Sequence, residues 1–156
     1  MNHDASEVSS LTDHEIGWLA GIMDGEGCIG VYRNKRNGIP ANHQLRLSVS
    51  NTDPLMIYEL KRLCGGRTRM AARKANPNWH SSWLWDLGGR RAITLLRTLA
   101  PYHISKREQA QLAISFIPVS PGTRERTPSQ KLANEELRLK LRALKGHKQQ
   151  RWLVHE

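Results

Sequence analysis

The chain has 156 residues, 38% of them hydrophobic, with five Trp and a formal net charge of +10. That content suffices for one real core but not for two large domains, and a patterned core with five tryptophans argues against a disordered polyanion-binding tail. The charge is divided: residues 1–32 hold six acids and no Lys or Arg, leaving 24 basic residues against eight acids in the remainder. A local carboxylate set against a basic body suits an enzyme that attracts a polyanion, the plainer alternative being a solvated basic surface of the ribosomal or histone kind. The first residues are polar and acidic with no apolar leader core, and no window reaches the apolar length of a membrane span. A soluble, intracellular protein with no membrane partner is expected.

Thr12-Asp-His-Glu15 has the form of a capping box and opens a helix whose stripe is Ile16, Leu19, Ala20 and Met23. Gly17, Gly21 and Gly25 recur every four residues on another face, where missing side chains let a second backbone approach. Gly25-Glu26-Gly27 ends the helix and holds Glu26 near its C-terminal carbonyls, a negative region suited to a hard cation. Taken alone, the segment also fits an amphipathic helix with a glycine C-cap. Ile29 to Tyr32 is β-rich and runs into a polar turn, Arg33 to Gly38, before Leu45 to Ser50 alternates strictly. Period two turns Leu45, Leu47 and Val49 toward the core and Gln44, Arg46, Ser48 and Ser50 outward, with Tyr32, Asn34 and Arg36 alternating beside them.

Asp53-Pro54 supplies an N-cap and a first-turn proline for a helix to about Cys64, which Gly65-Gly66 ends. A second hairpin carries Arg67, Arg69 and Arg73 on one face of its first strand. Its second strand, Ser82 to Leu87, puts Trp83, Trp85 and Leu87 inward and Ser82, Leu84 and Asp86 outward. Gly88-Gly89 precedes a helix to about Ala100, and Ser105-Lys-Arg-Glu108 forms a second capping box for a helix to about Ile117, with Lys106 in its first turn. A proline-bearing stretch then leads to a charged helix, about Gln130 to Lys145, striped by Leu137, Leu141 and Leu144, able to pack, to bind phosphate or both. The order is α-ββ-α-ββ-α, an α/β (α+β) chain of one domain over residues 1–156, with a core of about 12–117 and a C-terminal helical appendage of about 127–146. Cys28 and Cys64 form no CxxC pair and no Cys/His ligand spacing, so both are expected to be buried free thiols, with neither disulfide nor zinc.

Leu19 to Gly27 resembles the LAGLIDADG motif of homing endonucleases, matching all nine positions by identity or conservative change. The likeness to the single-motif, homodimeric branch runs over about residues 12–117. In that family the acidic residue at the eighth position, here Glu26, binds catalytic metal, often with the backbone carbonyl before it, here that of Gly25. His43 to Leu47 looks like the second strand of the family's antiparallel DNA-binding sheet, Val49 to Asp53 occupies the junction that completes the active site, and Pro101 to Ala110 resembles the segment bearing its basic pocket residue. Lys106 matches that lysine. Asn51 is the best match for a junction glutamine that positions solvent, although a two-residue change in hairpin length would bring Asp53 there instead. The family's other basic residue, near the start of the second helix, has no counterpart, since Leu55, Met56 and Ile57 are apolar here; Arg67 or Arg69 is the available substitute.

The chemistry can be argued beside the likeness. Phosphodiester hydrolysis needs an in-line water, neutralisation of charge at phosphorus and help for the departing 3′-oxygen, which divalent metal between two carboxylates supplies. One chain has one suitable carboxylate. If the Gly17/Gly21/Gly25 face packs on a two-fold mate, with Asp24 capping or bracing that interface, two Glu26 residues converge. Mg²⁺ suits the few hard oxygens available, Mn²⁺ is expected to substitute, and Ca²⁺ to support binding without cleavage. Lys106 would stabilise charge and Asn51 orient water. Arg46, Arg67, Arg69 and Arg73 could read guanine in the major groove and Gln44 adenine, with Tyr32, Asn34, Arg36, Ser48, Ser50, Ser82 and Asp86 on the same face. His43, His80 and His103 lack ligand spacing and are read as structural or phosphate contacts. The expected function is a homodimeric homing endonuclease that cuts a long, nearly palindromic double-stranded DNA site, leaves 3′ overhangs and propagates an intron or intein. The rival is an inactive RNA maturase or DNA-binding regulator of the same fold.

Overall fold

The computed structural model describes residues 10–36, 39–71 and 80–147 and, within these, no side chain at 35, 36, 39–41, 146 or 147. Helix α1, Asp13–Gly25, starts from the capping box: the Thr12 amide donates to the Glu15 carboxylate at 2.8 Å and the Glu15 amide to the Thr12 hydroxyl at 3.3 Å. Leu19, Ala20 and Met23 are buried, while Ile16 packs partly buried against the same core. The chain then turns at once into β1, Gly27–Arg36, passing so close over the helix that a Cβ on Gly27 would lie 2.6 Å from the Met23 carbonyl oxygen. Only glycine lets helix and strand join that tightly.

Strand β2, Ile39–Asn51, pairs antiparallel with β1 from Gly27↔Val49 to Arg36↔Ile39. The polar segment Arg33 to Arg36 therefore continues the strand instead of forming the expected turn, and the rest of that turn, residues 37 and 38, lies outside the described residues. Period-two side chains with one wet face tolerate such polarity, and the pairing shift at Asn34/Lys35 accommodates it. Helix α2, Pro54–Cys64, opens on Asp53, whose carboxylate accepts from the Leu55 amide at 2.9 Å; it stops at Gly65 and Gly66, whose φ of 67° and 88° no ordinary side chain adopts cheaply. Strands β3, Arg67–Met70, and β4, Trp83–Gly88, complete an antiparallel sheet of order β1-β2-β4-β3. The expected run through Arg73 lies outside the described residues.

Helix α3, Gly89–Leu99, passes through a 3₁₀ turn, Ala100–Tyr102, to the short α4, Arg107–Ala113. The predicted second capping box does not form. The helix begins after Lys106, which stands as its N-cap, and covers seven residues, while the Asp24 carboxylate fixes the turn before it through the amides of Ile104 and Lys106. The last helix, α5, Pro128–His147, lies against α4 and the β1–β2 hairpin. Its stripe buries Leu137 and Leu141, and Asn134 both accepts from the Ile117 amide and donates to the Ile117 carbonyl at 2.9 Å. Glu135 gathers His43 at 2.5 Å, Arg33 at 3.6 Å and Arg138 at 2.6 Å. The Arg138 hydrogen bonds lead in holding its carboxyl down at about 2, opposed by burial and aided by the His43 hydrogen bond and the charges of Arg138 and Arg33.

The inward faces of the strands, Ile29, Val31, Leu45, Leu47, Val49, Trp85 and Leu87, meet the helices in one core. Each fully buried large side chain contributes about 1.5–3 kcal/mol, and Trp85 also donates its indole N–H to the Gly65 carbonyl at 2.7 Å. Cys64 is buried as expected, which pushes its thiol up to about 12. Cys28 is not: it is half-buried at the start of the edge strand, 3.3 Å from the Lys145 ammonium and 3.7 Å from the Tyr32 hydroxyl. Among the described residues no helix is long and apolar enough to cross a membrane.

Candidate active site and nucleic-acid face

Glu26 is the C-cap of α1, its amide donating to the Ile22 carbonyl at 2.8 Å, and its side chain is exposed. What organises its surroundings is Asp24, two residues earlier. The Asp24 carboxylate accepts from the Ile104 amide at 2.7 Å, from the Lys106 amide at 3.1 Å and from Nδ1 of the buried His103 at 3.1 Å. Against the burial that opposes it, these donors keep Asp24 below the ordinary carboxylate value. Burial pushes His103 the other way, toward the neutral imidazole, despite the pull of Asp24. The 103–106 turn is thus tied to the end of the motif helix, and the Lys106 ammonium donates to the Asp24 carbonyl. The Lys106 ammonium is thereby fixed at the corner where the helix ends in Glu26.

That corner is also one end of the sheet. Gly27, next to Glu26, pairs with Val49, and β2 ends two residues later at Asn51. Asn51 shares the inward parity of Val49 and spends its side-chain carbonyl on the Asp53 amide at 2.8 Å; Asp53 is itself the cap of α2. Structure therefore ties Lys106 to Asp24 at the helix end that bears Glu26 and gives both Asn51 and Asp53 local bonds at the junction. Among the described residues no three metal-ligating side chains converge. The donors present, one open carboxylate beside backbone carbonyls, fit a hard divalent ion only in part, as half of a ligand set does.

The Gly17, Gly21 and Gly25 face of α1 is exposed, and a Cβ built on any of the three meets nothing within 4 Å. These glycines are not required by packing inside the chain.

On the sheet, register aligns the outward positions: Cys28, Gly30, Tyr32 and Asn34 with Ser48, Arg46, Gln44 and Asn42, then Ser48 with Asp86, and Asp86 with Arg67. Gln44, Ser50, Asn34, Arg67 and Arg69 are exposed, and Arg46, Ser48, Tyr32 and Ser82 are half-buried. Asp86 is the exception at 6% exposure, its Oδ1 accepting from Nε of Arg67 at 3.2 Å and from Nη2 at 3.0 Å. It braces an arginine more than it faces solvent. The backbone of Arg36 continues this face in β1, while its side chain and the whole of Arg73 lie outside the described residues.

Two features escaped sequence reasoning. The bonds of Asp24 to residues 80 positions away are not visible locally, since an aspartate near a helix end reads as a cap of its own helix. The second is a cavity of about 390 Å³ where α5 crosses the β1 edge, lined by Arg33, Arg138, Arg142 and Lys145. The charged face of α5 signalled cations, but not which edge would receive them.

No family model matches the chain. The DNA endonuclease I-CvuI of Chlorella vulgaris is 30% identical over 115 residues, covering 71% of this chain and 68% of that one. The solved structure of homing endonuclease I-CvuI with the I-CreI target, in 2 mM Mg and with its DNA not cleaved, aligns over 84% of this chain and 82% of that one, at a TM-score of 0.67 and 26% identity. The LAGLIDADG homing endonuclease I-SmaMI, bound to cleaved DNA, shares the fold at a TM-score of 0.54 and 16% identity, over 85% of this chain but only 43% of its own.

Proposed function

The chain belongs to the LAGLIDADG homing endonuclease family, and from that premise we propose that it is a metal-dependent, site-specific DNA endonuclease working as a homodimer. The observation that carries this reading is the corner where Glu26, left open at the end of the motif helix, is joined by Lys106 through Asp24. The unfilled glycine face supports the dimer: a Cβ there has room within the chain, so the run of three glycines makes sense where a second copy of α1 packs.

In this reading, two-fold pairing brings a Glu26 from each copy to the base of the paired helices, one for each strand of a nearly palindromic duplex. Glu26 and the Gly25 carbonyl would hold Mg²⁺, with Mn²⁺ able to replace it and Ca²⁺ sustaining binding alone. Bound there, a divalent cation neutralises charge at phosphorus and lowers the pKa of solvent. Lys106 sets a fixed positive charge beside the reacting phosphate, already oriented by its bond to the Asp24 carbonyl, so little reorganisation is left for the transition state. Asn51 holds solvent at the junction, cuts on the two strands leave 3′ overhangs, and the outward face of the sheet, from Tyr32 and Gln44 across to Arg67 and Arg69, follows the major groove. A break of this kind serves insertion of an intron or intein.

The test is selection of cleaved sites from a duplex library in Mg²⁺, repeated with Glu26→Gln. The substitution keeps size and removes charge, so the variant should bind the selected site within about threefold and lose cleavage by roughly 10³-fold or more. Full Mg²⁺-dependent cleavage by Glu26→Gln would overturn the assignment, and binding without cleavage by the unaltered chain would favour a regulator or maturase of the same fold.

A further inference from the structure

On the outward face of the β1–β2 hairpin, Arg46 sits opposite Gly30, and Tyr32 is its diagonal neighbour. The guanidinium carbon of Arg46 lies 4.2 Å from the centroid of the Tyr32 ring. Gly30 is what permits this. A Cβ there would fall 2.9 Å from Cε2, 3.0 Å from Cζ and 3.1 Å from the hydroxyl of Tyr32, so the ring folds back over the bare glycine instead of standing off the sheet. The hydroxyl then reaches the Cys28 thiol at 3.7 Å. With the ring laid down, Arg46 stacks across it, and its Nε is buried with no hydrogen-bond partner.

A buried N–H donor without an acceptor is unfavourable, so the stack holds the arginine in an orientation that hydrogen bonding would not choose. With Nε turned in, the edge left for a ligand is the Nη1–Nη2 pair, and a planar fork of that kind matches the O6 and N7 acceptors of guanine in the major groove. An unstacked arginine would have to lose rotamer freedom on binding; this one has lost it on folding.

We propose that Tyr32, seated on Gly30, is the positioning residue for Arg46, and that the two form a pre-set guanine reader in which tyrosine supplies orientation and arginine makes the base contact. The proposal rests on the sheet being the duplex-binding face. It departs from a reading in which Tyr32 touches a base of its own.

Two experiments test it, one needing no DNA. In the free protein, the Arg46 Nε–H resonance should be displaced by the tyrosine ring current and slow to exchange. Tyr32→Leu should move it to the position of exposed arginines, Tyr32→Phe should leave it in place, and Gly30→Ala should act like Tyr32→Leu by expelling the ring. An Arg46 resonance indifferent to Tyr32→Leu overturns the stack whether or not the protein cleaves DNA.

The second experiment profiles preference over single-base-pair variants of the selected site. Arg46→Ala should relax one position and its two-fold mate by about 10-fold or more. Tyr32→Leu should relax the same pair of positions by about 3- to 10-fold, and Tyr32→Phe should restore the preference. If Tyr32→Leu relaxes a position that Arg46→Ala does not touch, Tyr32 reads a base itself and the positioning role is wrong. If the resonance behaves as stated but the unaltered chain selects no duplex, the stack stands as structure, while its reading role falls together with the proposed function.

Discussion

Helix α1 has two edges that differ in how finished they are. Along one, Asp24 is bonded to the amides of Ile104 and Lys106 and to His103, so a segment some 80 residues away is locked to the motif. Along the other, Gly17, Gly21 and Gly25 are exposed and would accept side chains without meeting anything in the chain. Glu26 follows both as the C-cap of the helix. Charged hydrogen bonds at close quarters complete the first inside the chain, whereas the bare glycines have no intrachain partner and leave room for another backbone. In the proposed function the contrast divides the work: the polar contacts prepare the catalytic corner, and the glycine face brings two such corners together.

The largest effect that separates the edges should come from Lys106→Ala. Removing an oriented charge from a reacting phosphate costs about 10²–10³ in rate, so single-turnover cleavage in Mg²⁺ should fall by that order while binding in Ca²⁺ and the base-preference profile stay as they were. A reshaped profile would mean that the polar edge takes part in reading.

Next come two substitutions with opposite signatures. Asp24→Ala withdraws a charged acceptor from three donors, and hydrogen bonds to charged groups contribute about 1.5–3 kcal/mol each before compensation, so thermal unfolding should move down by several degrees. Gly21→Val leaves the folded chain untouched, because its side chain meets open space, but overpacking where backbones touch costs on the order of 1–3 kcal/mol or more. Its circular dichroism should be that of the unaltered chain, and sedimentation should show a monomer that no longer cleaves. Loss of fold in Gly21→Val, or an unchanged melting temperature in Asp24→Ala, would reverse the assignment of the edges.

The smallest effect lies away from α1 and calibrates the others. Glu135 ties α5 to the hairpin, with its carboxyl at about 2 against an ordinary 4.5. A depressed value means that the stabilisation is whole above about pH 4.5 and is lost as pH falls toward 2. The carboxyl is partly exposed, so solvent screening should hold the effect of Glu135→Gln on stability at pH 7 below about 1 kcal/mol. Denaturant titrations of both proteins should converge at pH 2, and a gap that widens on acidification would contradict the ion-pair origin.

Much of this was legible in the chain. The capping box at Thr12, the proline-started helix at Asp53, the strict alternation of Leu45 to Ser50 and the Trp83/Trp85/Leu87 face are each decided by neighbours within a few residues, and each was found where expected. Hairpin length was misjudged because Arg33 to Arg36 carry turn-like polarity in a strand with one wet face. The start of α4 was misjudged because a carboxylate from another helix holds the amides of Ile104 and Lys106 in a turn, so the helix starts one residue later, after Lys106. In the candidate site, Glu26 and Lys106 could be named from motif and spacing, and the structure ties Lys106 to Asp24, two residues before Glu26. The bond network of Asp24, the brace of Asp86 on Arg67 and the placement of α5 on the β1 edge depend on contacts between distant segments, which no local pattern records.

The central claim is that one chain carries half of a catalytic site. Sedimentation of the unaltered protein with its selected duplex, in Ca²⁺ and without Mg²⁺, tests it most directly by counting chains per duplex. Two chains on each duplex, with Mg²⁺ then releasing both cut strands, is the predicted result. A complex holding one chain that goes on to cut both strands when Mg²⁺ is added would contradict it.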